Sequence, residues 1–142
     1  VLIENPSTYV TLDGDFDEPE FLLALAARTG CRLLIDLNNI HVSANNCGRD
    51  AHAYIDGLGD GRAIGEFHLA GHDDVGGLLV DTHAKPVPDP VWALYDTALA
   101  RFGDRPTLIE WDSDLPPLDR LLAEAATADA HRALVVRSVS HV

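Results

Sequence analysis

The chain has 142 residues, 46% of them apolar, enough for one domain with its own core. Its net charge is −13 and Lys85 is its only lysine, so it has no general attraction for phosphate backbones or anionic membranes, and nucleic acid is not expected as a partner. Two cysteines, Cys31 and Cys47, are too few for a disulfide framework or a zinc knuckle. No apolar run approaches the ~20 residues of a membrane span, and no signal peptide is visible, which points to the cytoplasm.

The chain opens on "VLIEN", a short apolar run closed by "NPS", which reads as a buried strand and a loop. No methionine stands at position 1 or anywhere else, so the chain is expected to be part of a longer protein. "EPEFLLALAARTG" follows as a helix, with Asp17 as cap, Pro19 in the first turn and Gly30 past the end. "RLLIDLNN" is a second strand, and its following loop contains Cys47. "RDAHAYIDGLG" is a shorter helix capped by Asp50, and "AIGEFHLAG" is the third strand. A glycine-bearing loop with a short extended "LLVD" leads to "DPVWALYDTALARFG". That is the clearest helix, with Asp89 as cap, Pro90 at N1, and Val91, Leu94, Tyr95, Ala98, Leu99 and Phe102 on its apolar face. "PTLIEWD" is the fourth strand. "PPLDRLLAEAATA" is a helix with Leu118, Leu121, Leu122 and Ala125 on one face, and residues 129–142 form a tail with no clear period.

Four strand–helix units in order predict an α/β fold with a parallel sheet. A complete (β/α)8 TIM barrel needs about 250 residues, so residues 1–128 amount to about half of one. A small open α/β sheet is the alternative, but "ENPSTY" is not a glycine-rich phosphate turn. A half barrel leaves sheet edges at Val1–Asn5 and Thr107–Glu110, through which the chain could self-associate.

The strands end in residues with metal-binding chemistry: Glu4, Asp36, His68 and Glu110. In parallel α/β folds the carboxyl ends of the strands share one face, and that face hosts the active site. Asp81 and His83 add an Asp-x-His pair in an extended segment, where alternate side chains share a side. Each has an ordinary structural reading as well. Glu4 and Glu110 suit caps or ion pairs, Asp36 suits a turn cap, and His68 suits a hydrogen-bonded core position. One shared site accounts for all of them together. Oxygen and imidazole donors without sulfur suit iron, manganese or zinc. Asn5, His72 and Trp111 are candidates for supporting or substrate-facing positions. Trp92 and Tyr95 read as helix-packing residues, His41 as structural, and His52, His131 and His141 as solvated surface.

"LIENPS", "LLIDLNNIHVSANN", "IGEFHLAGH", "LVDTHAKPV", "DPVWALY" and "PTLIEWDSDLPPL" resemble the multinuclear non-haem iron-dependent oxidative enzymes, a family that includes the oxidase subunit of methanobactin biosynthesis. The resemblance spans Val1 to about Ala128. It implies a xylose-isomerase-like barrel with two or three irons. It also implies oxygen-dependent remodelling of residues, often cysteines, in ribosomally made precursor peptides, with a separate partner protein that presents the leader. Carried over residue by residue, it implies Glu4, Asp36, Asn39, His68, Asp81, His83 and Glu110 as metal ligands. Family strands that precede "LIEN" and carry further histidines are absent, and Cys47 stands where a histidine is common. A zinc or manganese isomerase or hydrolase on the same barrel, or an inactive fragment, are the competing expectations.

Overall fold

The structure is a computed structural model, which describes residues 1–11 and 14–139, the last four by their backbone only. The chain runs β1 (Leu2–Glu4), α1 (Glu18–Thr29), β2 (Arg32–Asp36), α2 (Leu37–Cys47), α3 (Ala51–Gly57), β3 (Ile64–Leu69), β4 (Asp73–Val75), β5 (Leu78–Val80), α4 (Asp89–Phe102), β6 (Thr107–Ile109) and α5 (Leu118–Val139). The four longer-range strands form a parallel sheet in the order β1-β2-β3-β6, and β4 and β5 form a separate antiparallel hairpin. His141 lies outside the described residues. Among the described residues no helix is long and apolar enough to cross a membrane.

Local signals explain most boundaries. Asp17 and Glu20 form a reciprocal capping box at the start of α1, and Gly30 ends it in the left-handed region at φ 74°. Asp50 accepts from the backbone of His52 and Ala53 at the start of α3. The whole expected face of α4 is buried. The expected Asp89 cap is corrected: Pro88 occupies the cap position without a side-chain bond, and Asp89 is the first helical residue, where its charge still suits the helix dipole.

Two other expectations change. The segment after β2 is α2, not a loop, so Cys47 is the last residue of a helix. Asn38, Asn39, Asn45 and Asn46 are poor helix formers, yet each side chain has a tertiary partner, on Asp81, Asn5, Gly77 and Leu79 respectively. Tertiary bonding and the burial of Leu37, Ile40 and Val42 hold this helix against its propensity.

The tail is also helical, as α5 continues to Val139. Its packed face is not the expected Leu118, Leu121, Leu122 and Ala125, since Leu118 and Leu122 are exposed. The face runs instead through Leu121, Glu124, Ala128, His131 and Val135. Two polar residues interrupt it, which hides its period. Glu124 is satisfied by Val87 N–H at 3.1 Å and Trp111 Nε1 at 2.8 Å. His131 is not a solvated surface residue: it stacks on Trp92 at 5.0 Å and reaches Asp96 at 2.6 Å.

The core fills one face of the sheet. Leu33 and Ile35 of β2 and Phe67 and Leu69 of β3 pack against Leu22, Ile40, Ile55, Val91, Tyr95 and Leu99 from the helices. The opposite face carries Leu2 and Leu108, 38% and 44% exposed, and the strand-end acids. Gly71, which follows β3, faces the Lys85 and Pro86 carbonyl groups so closely that a Cβ would overlap their oxygens. The clash is with backbone, which cannot swing aside. Gly71→Ala is therefore expected to cost about 2–3 kcal/mol, read as a lower urea midpoint at unchanged slope.

Candidate metal centre

Register brings the strand ends together. Glu4 pairs with Leu34, Asp36 with His68, and His68 with Leu108. Counting in steps of two along each strand puts Glu4, Asp36, His68 and Glu110 on one face at its carboxyl rim. One donor atom from each of these four lies within 4.8 Å of the others. His83, Glu110 and Asp112 form a second such group, so Glu110 belongs to both. A cavity of about 350 Å³ opens over them, walled by Pro6, Ser7, Asn39, Asp81 and His83 among others.

The surrounding structure fixes these side chains. Asn5 is buried and hydrogen-bonds both the backbone N–H and the carbonyl of Asp36, at 2.8 and 3.0 Å. It thereby continues the pairing of β1 with β2 past Glu4, a supporting role. Asp36 does two things. Its Oδ1 accepts from Asn39 N–H at 2.7 Å and caps α2, while its buried Oδ2 has no hydrogen-bond partner. The cap reading and the site reading thus apply to different oxygens of one carboxylate. Asn39 donates Nδ2 to the Asn5 carbonyl at 3.0 Å, leaving its own buried Oδ1 unpartnered.

His83 is nearly fully buried. Its Nε2 lies 2.7 Å from Asp81 Oδ1 and 3.8 Å from Asp36 Oδ2, and its Nδ1 lies 3.3 Å from Glu110 Oε2 and 3.5 Å from Asp112 Oδ2. The Asp81 contact is short enough for a hydrogen bond but poorly aligned with the ring, and the others are longer. Asp81 and His83 do converge, but not as alternate residues of a strand. β5 ends at Val80, and His83 sits in the left-handed region at φ 45°. A non-glycine residue held there stores of order 1–3 kcal/mol, which persists only where the surroundings determine it. The His83 carbonyl accepts from Asp112 N–H at 2.9 Å, which anchors the turn.

His68 Nδ1 contacts Glu110 Oε2 at 2.9 Å, and its Nε2 lies 3.7 Å from Glu66. Asn38 donates to Asp81 Oδ1 at 2.7 Å and accepts at Oδ1 from His72 Nδ1, also at 2.7 Å. His72 therefore stands one residue behind Asp81, with its ring 5.1 Å from that of His41. Trp111 does not line the cavity: its indole N–H turns away to Glu124 on α5. Asp112 went unnoticed in the sequence, although it stands two residues past Glu110 and so on the same side of an extended segment.

Crowding disturbs the acids. Burial pushes the Asp36 carboxyl up to about 7, against the Asn39 hydrogen bond and His83. Burial, then Glu110, raises Glu4. Burial opposes charge on His83, but Asp81, Asp36 and Glu110 outweigh it and raise the imidazole to about 9. Burial also opposes the charge of Asp81, and His83 outweighs it, so Asp81 is lowered. Buried, unpartnered oxygens beside a carboxylate-rich rim suit a cation, and the oxygen and imidazole donors suit a transition metal. Asp36 Oδ2 and Asn39 Oδ1 are oxygens left free for it, and the ring nitrogens of His83 stand among the same acids.

The profile of the RiPP precursor modification enzyme MbnB/TglH/ChrH matches residues 1–133. A UPF0276 protein of Rhizorhabdus wittichii is 54% identical over 128 residues, covering 90% of this chain and 46% of the relative. UPF0276 proteins of Caulobacter sp. strain K31 and Chromobacterium violaceum are 55% and 50% identical, with 87% and 92% of this chain and 46% and 47% of each relative covered. The chain spans about half the length of the curated relatives it matches. It belongs to the MbnB/TglH/ChrH family of RiPP precursor modification enzymes.

Proposed function

We propose that this chain carries a metal-binding half of an iron-dependent oxidase that remodels residues, often cysteines, of ribosomally made precursor peptides. The observation that carries this reading is the set of buried donors without hydrogen-bond partners, on Asp36, Asn39 and His83, around one carboxylate-rich cavity. Glu4, Asp36, His68 and Glu110 make one ligand group. His83, Glu110 and Asp112, with Asp81 and the Asn39 amide oxygen beside them, make the other. Iron held there supplies redox chemistry and Lewis acidity. The protein's own residues do the rest. Asn38 holds Asp81 in place, Asn5 ties Asp36 to β1, and Glu110 joins the two groups. The cavity walls set which part of a peptide reaches the rim.

The same reading places the sheet in a (β/α)8 barrel of the xylose-isomerase-like kind. Parallel sheets are normally covered on both faces. Here one face holds the core and the other holds Leu2, Leu108 and the acids, and among the described residues β1 and β6 each pair on one side only. A leader-binding partner protein belongs to this proposal as the presenter of the peptide.

The test is anaerobic loading with ferrous iron, elemental analysis, and mass spectrometry of a cysteine-bearing precursor peptide before and after dioxygen. At least one iron per chain and an oxygen-dependent mass change are expected. Full zinc occupancy with turnover indifferent to oxygen would give the site to an isomerase or hydrolase instead.

A further inference from the structure

A second depression adjoins the metal cavity. The loop after β1 supplies Pro6 and Ser7 to the metal cavity and Thr8 to a larger groove of about 760 Å³. The groove has the volume of an ordinary ligand site.

Its lining combines two features. Val10, Phe16 and Phe21 stand 65%, 61% and 53% exposed along it, a grouping of large apolar side chains that marks an interaction surface more than a solvated one. Asp15, Asp17, Glu18 and Asp50 also line it, against Arg49 alone. That guanidinium already lies 3.9 Å from Glu18, whose other oxygen accepts from the Tyr54 phenol at 2.8 Å. The floor is thus fixed and the balance of charge is negative.

We propose that this groove holds the substrate segment beside the reacting residue, and that it selects an aromatic or large aliphatic side chain flanked by Lys or Arg. The proposal rests on the peptide-modifying reading above and names its specificity. Charge separates this occupant from the obvious rival. A second copy of this chain brings a further net −13 and is repelled by the acidic lining. A cationic segment is drawn in, and the apolar walls then hold its side chain out of water.

Short fluorescein-labelled Gly/Ser peptides test it, each with Ser in place of the reactive Cys so that no thiol–metal bond contributes. One carries Phe-Lys-Lys, one Phe-Glu-Glu and one Ser-Lys-Lys. Fluorescence anisotropy is expected to show Phe-Lys-Lys binding about tenfold more tightly than either of the others, with the preference over Phe-Glu-Glu shrinking as salt rises. Asp15→Lys and Phe16→Ala lie on exposed positions, and circular dichroism checks that each folds. Asp15→Lys is expected to erase the preference for Lys, and Phe16→Ala the preference for Phe. Equal binding of the three peptides, or variants that leave the order unchanged, would overturn the proposal. So would a dimer in sedimentation that Phe16→Ala converts to a monomer, because the groove would then belong to a second copy. The two readings fail separately. Selective peptide binding without oxygen-dependent modification sinks the oxidase reading and spares the groove. Modification of a peptide with no preference between Lys and Glu does the reverse.

Discussion

Glu110→Gln is expected to weaken metal binding by more than about 100-fold while leaving the metal-free protein folded. Among the described residues, Glu110 is the one common to both groups that could hold an ion. Its Oε2 stands 2.9 Å from His68 and 3.3 Å from His83. Removing residues that merely orient ligands costs about 10–100-fold in affinity, so loss of a shared ligand should exceed that. The replacement is nearly isosteric and keeps an oxygen for His68, so packing is spared. It also removes one negative charge, which repels Glu4 but supports the proton on His83, so the two effects on the metal-free protein oppose each other. Manganese or zinc titration by calorimetry reads the affinity, and thermal melting without metal reads the stability. Glu66→Gln is the control. Glu66 lies 3.7 Å from His68 but belongs to neither group, and its replacement should change affinity by far less. A Glu110→Gln protein that binds metal like the parent would remove the shared-ligand geometry from consideration.

What the sequence showed and what it hid follow from where each structural element takes its stability. α4 was legible because its whole face is apolar at helical spacing and Gly103 stops it. The strand ends were legible because a short apolar run followed by a lone acid or histidine is itself a pattern, and parallel topology then collects those ends at one rim. α2 was hidden because asparagines that disfavour a helix locally are repaid by bonds to residues 32–43 positions away, which no local window sees. The far half of α5 was hidden because Glu124 and His131 occupy its inner face and are satisfied there by Trp111, Val87, Trp92 and Asp96. The strand β4 went unread because Asp73 and Asp74 make two of its three residues. At the centre itself, the strand-end residues and the Asp81–His83 pair converge as the pattern implied. The left-handed turn at His83 and the arrival of Asp112 are consequences of the packed loops alone.

Metal affinity should climb with pH, because the metal-free site stores protons that an ion must displace. His83 is held up at about 9 and Asp36 at about 7. Between about pH 7 and 9 the bound ion displaces one proton, from His83, so affinity rises about tenfold per unit. Below about 7 Asp36 also holds its proton, two are released, and the dependence steepens; above about 9 it levels off. The stability of the metal-free protein moves the other way. The folded-state value of His83 lies above its unfolded 6.5, so its contribution is complete below about 6.5 and is lost as pH rises through 9. Asp36 is likewise raised from 3.8, so the folded state binds its proton more tightly than the unfolded chain does, and stability falls from about pH 4 to 7. Asp81 is lowered, and its contribution is lost only on acidification below the ordinary carboxylate range. The metal-free protein should therefore melt lower at pH 9 than at pH 6, and the increase in melting temperature given by saturating manganese should be larger at pH 9. Calorimetry in buffers of different ionisation enthalpy counts the protons directly. An affinity that stays flat from pH 6 to 9 with no proton released would mean that His83 and Asp36 are not among the groups that hold the ion, because any ion they ligate must take the place of the protons they carry.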